Sequence, residues 1–193
     1  TINDPEKYFK TVLWTGNLFA NGITGVNHQP DLLWFKNRNT TNNFEVRDST
    51  RGTGKGGLRL DDDAVEGDDA TRITSFDSDG FTISTDPSVN GNQNKILAWS
   101  WAANGGTRTT NTESGNNPGG GFQANTTAGF SIVDYTGTGA AGTMAHGLGA
   151  VPHWILFKSR SEASNIWAVY HHRYSAAPET VFLRLDTNAA TTY

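Results

Sequence analysis

Pro30-Asp31-Leu32-Leu33-Trp34-Phe35-Lys36-Asn37-Arg38 returns later in the chain as Pro152-His153-Trp154-Ile155-Leu156-Phe157-Lys158-Ser159-Arg160. Pro, Phe, Lys and Arg recur at one spacing. Upstream, Val12-Leu13-Trp14-Thr15-Gly16 matches Val133-Asp134-Tyr135-Thr136-Gly137. Downstream, Leu58-Arg59-Leu60-Asp61 matches Leu183-Arg184-Leu185-Asp186. Matching blocks in one order, with spacings that drift by only a few residues, mark an internal duplication with small loop insertions.

The duplication also settles the type of element. Residues 153–177 hold neither Gly nor Pro, and Ile166, Val169, Tyr170 and Arg173 would fit one face of a helix. However, Trp167-Ala168-Val169-Tyr170 aligns with Phe44-Glu45-Val46-Arg47, which alternates apolar and polar, so the segment is read as a strand. Short runs rich in Val, Ile, Phe, Trp and Thr, bounded by turn residues, place strands at 9–14, 32–37, 43–48, 57–60, 73–76, 80–84, 96–102, 130–135, 154–158, 166–171 and 180–185. Asn21-Gly22, Asp79-Gly80, Asn90-Gly91 and Asn104-Gly105 are hairpin dipeptides, because type I′ turns need positive φ at both central residues. In Leu97-Ala98-Trp99-Ser100-Trp101-Ala102 the bulky residues share one face, expected to point into the core, and the small ones the other.

The fold class is therefore all-β, as two tandem copies of a β-sandwich or jelly-roll-like antiparallel unit. Residues 1–103 form the first copy. The Gly/Asn-rich stretch 104–128 is expected to be a linker, with at most one edge strand around Phe122-Gln123. Residues 129–193 form a second copy that lacks counterparts of Ser75–Phe81 and of the Trp99-Trp101 strand. That shortfall would leave an open edge and uncovered apolar faces, so the chain is expected to be part of a longer protein. Leu33, Phe35, Trp99, Trp101, Ile155 and Phe157 are the expected core.

Composition narrows the function. Hydrophobic residues make up 35% and charged residues 18%, yet aromatics reach 11%, a load that a disordered chain would lack. The net charge of -4 gives no basic field for a nucleic-acid partner. With Cys 0, a disulfide framework or thiolate metal site is impossible. No apolar run approaches the length of a membrane span, so membrane insertion is not expected.

Candidate chemistry is sparse. Asp61, Asp62, Asp63, Glu66, Asp68 and Asp69 cluster, and Asp61, Asp63 and Asp68 are the candidates for a calcium site, since hard cations collect carboxylate oxygens. Full EF-hand spacing is lacking, so a solvated acidic loop is the simpler expectation. No histidine pair has the H-x-x-x-H helical spacing, and adjacent His171 and His172 would point to opposite faces of a strand. Neither a nucleophile elbow nor a phosphate or dinucleotide loop occurs. No catalytic residue, cofactor or enzymatic activity is expected. Lys36 and Arg38 recur as Lys158 and Arg160, basic pairs that could contact an anionic glycan or a partner subunit, or simply face solvent in both copies.

Val12-Leu13-Trp14-Thr15-Gly16-Asn17, Gln29-Pro30 with its apolar strand, Asp48-Ser49-Thr50-Arg51-Gly52, Thr74-Ser75-Phe76-Asp77-Ser78-Asp79-Gly80-Phe81 and Ala98-Trp99-Ser100-Trp101 occur in an order that resembles a repeat found in structural proteins of tailed bacteriophages, often marine ones. The second copy keeps Gly129–Gly137 and His146-Gly147-Leu148-Gly149-Ala150-Val151-Pro152, also typical of it. Ser100 departs from the pattern, since similar repeats often carry Cys there. The resemblance implies a virion protein on the exterior of the particle, as a tail fibre, appendage or capsid decoration. Its partners would be other virion proteins and copies of itself. A carbohydrate-binding module that attaches to cell-surface glycans is the second expectation, and a glycan-active enzyme a distant third.

Overall fold

A computed structural model describes residues 2–187. Its strands are β1 (Phe9–Thr15), β2 (Asn21–Thr24), β3 (Leu32–Asn37), β4 (Glu45–Asp48), β5 (Leu58–Arg59), β6 (Ile73–Asp77), β7 (Gly80–Ile83), β8 (Lys95–Trp101), β9 (Thr109–Asn111), β10 (Gly120–Asn125), β11 (Phe130–Tyr135), β12 (Trp154–Phe157), β13 (Ala168–His171) and β14 (Leu183–Arg184). Helix is limited, among the described residues, to 3-10 turns at Pro5–Lys7 and Pro178–Thr180 and one α turn, α1 (Pro87–Asn90). α1 starts because Pro87 presets φ and the Asp86 carboxylate accepts from the Ser88 amide.

Every strand pairing between these elements is antiparallel. The first copy stacks a five-stranded sheet, β1-β8-β3-β4-β5, on a three-stranded one, β2-β7-β6. Between them lies a core of Val12, Leu33, Phe35 and Ala98 from one sheet and Ile23, Ile73, Phe81 and Ile83 from the other. Val89 of α1 joins this core, and the Trp14 indole donates to its carbonyl at 2.9 Å.

The orientation of β8 is the reverse of the expected one. Ile96, Ala98 and Ser100 point into the sandwich and are buried, while Leu97, Trp99 and Trp101 line the outer face and are half-buried. The cause is the neighbouring strand. Leu33 pairs with Ser100 and Phe35 with Ala98, so the large side chains of β3 already fill the interior. Only small residues fit beside them at close-packed density. Of the expected core, Leu33 and Phe35 are buried, Trp99, Trp101 and Ile155 are half-buried, and Phe157 is exposed.

Of the four proposed hairpin dipeptides, only Asp79-Gly80 sits at a tight hairpin, between β6 and β7. Asn21-Gly22 begins β2, and Asn90-Gly91 ends α1. Asn104-Gly105 belongs to a loop held by Asp31. Gly80 has φ +152°, and a Cβ there would lie 1.9 Å from the Ile23 carbonyl oxygen.

The second copy repeats part of the first in detail. The pairings Leu32↔Asp48, Leu33↔Arg47, Trp34↔Val46 and Phe35↔Glu45 reappear at the aligned positions as Trp154↔His171, Ile155↔Tyr170, Leu156↔Val169 and Phe157↔Ala168. Val46↔Leu58 reappears as Val169↔Leu183. Even the flanking bonds recur. Leu60 N–H donates to Phe44 O and Leu185 N–H to Trp167 O, while Asp61 and Asp186 accept from the amides of Phe44 and Trp167. Thus β12-β13-β14 has the order and register of β3-β4-β5.

Beyond that the copies diverge. Among the described residues, no strand of the second copy corresponds to β6, β7 or β8. β11, the equivalent of β1, pairs instead with β10 in a sheet of order β11-β10-β9. Residues 104–128, expected to be a linker, therefore contain two strands, and β10 is the central strand of its sheet. Gln123 in β10 is fully buried, and its amide donates to Ser49 Oγ and Thr50 Oγ1. These bonds tie the segment to the first copy.

The second copy lies on the outer face of the five-stranded sheet. Trp167 and Leu156 pack with Leu32, Trp34, Phe44, Val46, Leu58 and Leu60. The Trp167 indole donates to the Arg59 carbonyl at 2.5 Å. Trp101 is flanked by Phe9 and Phe130, with ring centroids at 5.0 and 6.2 Å.

Candidate interaction surface

The acidic run 61–69 is divided among separate partners. Asp61 caps the Phe44 amide, Asp62 accepts from Arg59 and the Ala64 amide, and Asp68 pairs with Lys55. Asp63 is exposed, and its carbonyl accepts from Lys158. Asp61, Asp63 and Asp68, the calcium candidates, are thus not brought together. Among the described residues no group of three His, Asp or Glu side chains is arranged to hold a metal ion.

The remaining carboxylates anchor buried arginines that sequence reasoning missed. Arg47 lies between Glu45 at 2.6 Å and Asp69 at 2.8 Å, and also donates to the Lys55 and Asp69 carbonyls. Arg51 lies between Asp48 and Glu66, both at 2.5 Å, and donates to the Val46 and Gly56 carbonyls. Burial alone would lower the Arg51 pKa, but Asp48 and Glu66 outweigh it and raise it. Burial likewise opposes ionisation of Glu66, and Arg160 and Arg51 together hold its pKa below the ordinary value. Asp69 falls to about 2, because hydrogen bonds from Thr71 and Arg47 overcome its desolvation. Asp31, fully buried, accepts from Ser49 Oγ and from the amides of Ala103, Gly105 and Gly106. The Asp48-Ser49-Thr50-Arg51-Gly52 block is the sequence trace of this network, since Asp48, Ser49, Thr50 and Arg51 all take part in it.

The two basic pairs have different roles. Lys158 donates to the carbonyls of Asp63 and Asn165, and Arg160 pairs with Glu66 at 2.7 Å. Both therefore fasten the second copy to the acidic loop of the first. Lys36 repeats half of this arrangement, donating to the Asn42 carbonyl and lying 4.5 Å from the Phe44 ring centroid. Arg38 is exposed, with no side-chain partner among the described residues.

The Arg47 and Arg51 clusters are thus internal, and among the exposed large apolar side chains two lie together on one strand edge. Trp154 is 55% exposed and Phe157 44%, both on β12 at the rim of its sheet. Only Trp167 among the tryptophans is buried. His153, His171 and His172 gather beside this strand, with the His153 and His172 ring centroids 4.0 Å apart. No helix among the described residues is long and apolar enough to cross a membrane.

These features define a class: a duplicated antiparallel β protein whose charged side chains brace its own loops and whose second copy presents an apolar sheet edge. The chain belongs to the family described as a domain of unknown function (DUF7483), whose model matches residues 4–193 and so spans both copies. No curated protein and no solved structure matches the chain.

Proposed function

We propose that the chain is a non-enzymatic structural protein of a bacteriophage particle, displayed on its exterior as a tail-fibre, appendage or capsid-decoration component. It acts through assembly contacts and surface presentation. The observation that carries this reading is the disposition of polar and apolar groups. Carboxylates and arginines that could have built a reactive site are paired within the fold, while aromatic side chains are left on a strand edge. Protein interfaces favour aromatic and Arg anchors of this kind. The resemblance of the repeat to phage virion proteins gives the assembly in which such contacts would be made. Many weak contacts of one type then act together through effective concentration. Gold-labelled antibody against the chain should decorate purified particles, and peptide mass spectrometry should find it there in many copies. Detection only in the infected-cell supernatant after the particles are removed would defeat the reading.

One observation favours a second reading, a carbohydrate-binding module for host attachment. Trp154 presents an exposed aromatic face of the sort that can stack on a sugar. A selective glycan-array hit by the isolated chain, lost in Trp154→Ala, would establish it.

A further inference from the structure

The first copy shows what a complete version of the β12-β13-β14 sheet looks like. There, β2-β7-β6 covers the inner side of β3, and β8 pairs along the edge of β3 that faces away from β4. β12 holds the place of β3 with the same register to its neighbour, yet no described strand pairs with its other edge. Ile155 and Phe157 stand where Leu33 and Phe35 stand. Phe35 is 3% exposed and Phe157 44%. Among the described residues, Glu179–Phe182 line a cavity beside this face together with Ile155, Phe157, Ala168 and Tyr170. An edge strand with apolar side chains and unpaired backbone groups is a template for adding another strand.

The geometry points to a strand-acceptor site at the open edge of β12. Its occupant is an extended segment donated by another protein of the assembly, antiparallel to β12 and of the chemistry of β8. The required pattern is read from the first copy. Leu33 and Phe35 pair with Ser100 and Ala98, while Leu32 and Trp34 pair with Trp101 and Trp99. Ile155 and Phe157 therefore need small residues beside them, and Trp154 and Leu156 need large apolar ones. Another folded molecule of this chain has no spare strand of this type, because its β8 is enclosed between β1 and β3. Nor does a second β12 fit, since it would set large residues against large ones where the first copy sets large against small. The inference rests on the assembly reading only for the source of the donor.

A synthetic peptide copying residues 95–102 serves as the probe. Titrated into the full chain and followed by amide NMR, it should shift signals of residues 154–157. Binding should weaken at least tenfold in Trp154→Lys and in Phe157→Lys, both surface changes whose folding is checked by thermal melts. Leu13→Lys, an exposed change on β1 at the far sheet edge, should leave binding unaltered. Absence of peptide binding overturns the inference, as does binding that these two lysine variants do not weaken. Self-association of the chain that Phe157→Lys abolishes would overturn it in favour of another molecule of the same chain as the occupant. Peptide binding by a chain absent from particles would defeat the virion reading alone. A chain found on particles that binds no strand would defeat only the acceptor site.

Discussion

His28 is held between two fixed partners inside the first sandwich. Its Nδ1 lies 2.8 Å from the Glu6 carbonyl and its Nε2 2.8 Å from Ser100 Oγ. A carbonyl can only accept, so Nδ1 carries the hydrogen and Nε2 accepts from the Ser100 hydroxyl. Burial pushes the His28 pKa below its ordinary 6.5, against the opposing pull of the Glu6 carbonyl and Asp31. A histidine with a lowered folded pKa binds its proton more readily when unfolded. Its contribution to stability is therefore fully present above about pH 6.5 and declines as the pH falls through the folded value. Urea melts from pH 7.5 to 5 should show stability falling, and His28→Gln should flatten that slope. Ser100→Ala, which strands a buried acceptor, should cost about 1–3 kcal/mol. Ser100→Cys, which keeps a weak donor, should cost less. The sequence showed Ser100 only as a departure from the repeat pattern, because its partner His28 is distant in the chain. Gly80 is a second position where one atom matters. Ala there would meet both a positive φ and the Ile23 carbonyl, so Gly80→Ala should destabilise by about 1–3 kcal/mol in the same melts.

At the scale of elements, what was legible in the sequence is what short-range pattern encodes. Strands at 9–14, 32–37 and 130–135 follow from runs of β-branched and aromatic residues, and each appears within a residue or so of its expected bounds. The sidedness of β8 was not legible, because alternation gives two faces without saying which one is inward. That choice was made by Phe35 and Leu33 across the ladder. β9 was obscured by a Gly, Thr and Asn composition that suits loops, and β10 was legible only as an edge strand around Phe122-Gln123; they form, with β10 central, because β11 and buried Gln123 supply tertiary partners. The acidic loop illustrates the same limit. Its charge cluster was visible, but the arginines that neutralise it come from β4, from the turn after it and from the second copy. Glu66 bridges Arg51 and Arg160, and Glu66→Gln would leave Arg51 with Asp48 as its only carboxylate partner. Because Arg51 keeps Asp48, the loss is that of charge-assisted hydrogen bonds rather than of a stranded charge, and this variant should lose about 1–3 kcal/mol in denaturant melts. The network should also outlast His28 in acid. Asp69, lowered from 3.8 to about 2, contributes stability that is present above pH 3.8 and lost only as the pH falls toward 2.

At the scale of the whole molecule, the two copies are related by duplication but do not divide into independent halves. The outer face of the five-stranded sheet carries Trp34, Trp99, Trp101, Phe44, Val46, Leu58 and Leu60, and the second copy contributes Leu156, Trp167 and Phe130 to the same junction. The exposed face of one copy is thus part of the buried interior of the pair. Two domains joined by a polar linker would melt separately, whereas a shared apolar junction couples them. Calorimetry of the full chain should therefore show one cooperative transition, with calorimetric and van't Hoff enthalpies in agreement. Trp167 is the sensitive point, since its ring fills the junction and its indole satisfies the Arg59 carbonyl. Trp167→Ala should cost about 3–5 kcal/mol, the range for deleting a buried large aromatic. It should also make the segment around β13 the first to be cut by protease. A fragment of residues 1–103 would expose the junction tryptophans to water, and should be less stable than the full chain or aggregate. Two separate transitions in the full chain, the first-copy one unmoved by Trp167→Ala, would show that the copies fold independently and that the junction is only a surface contact.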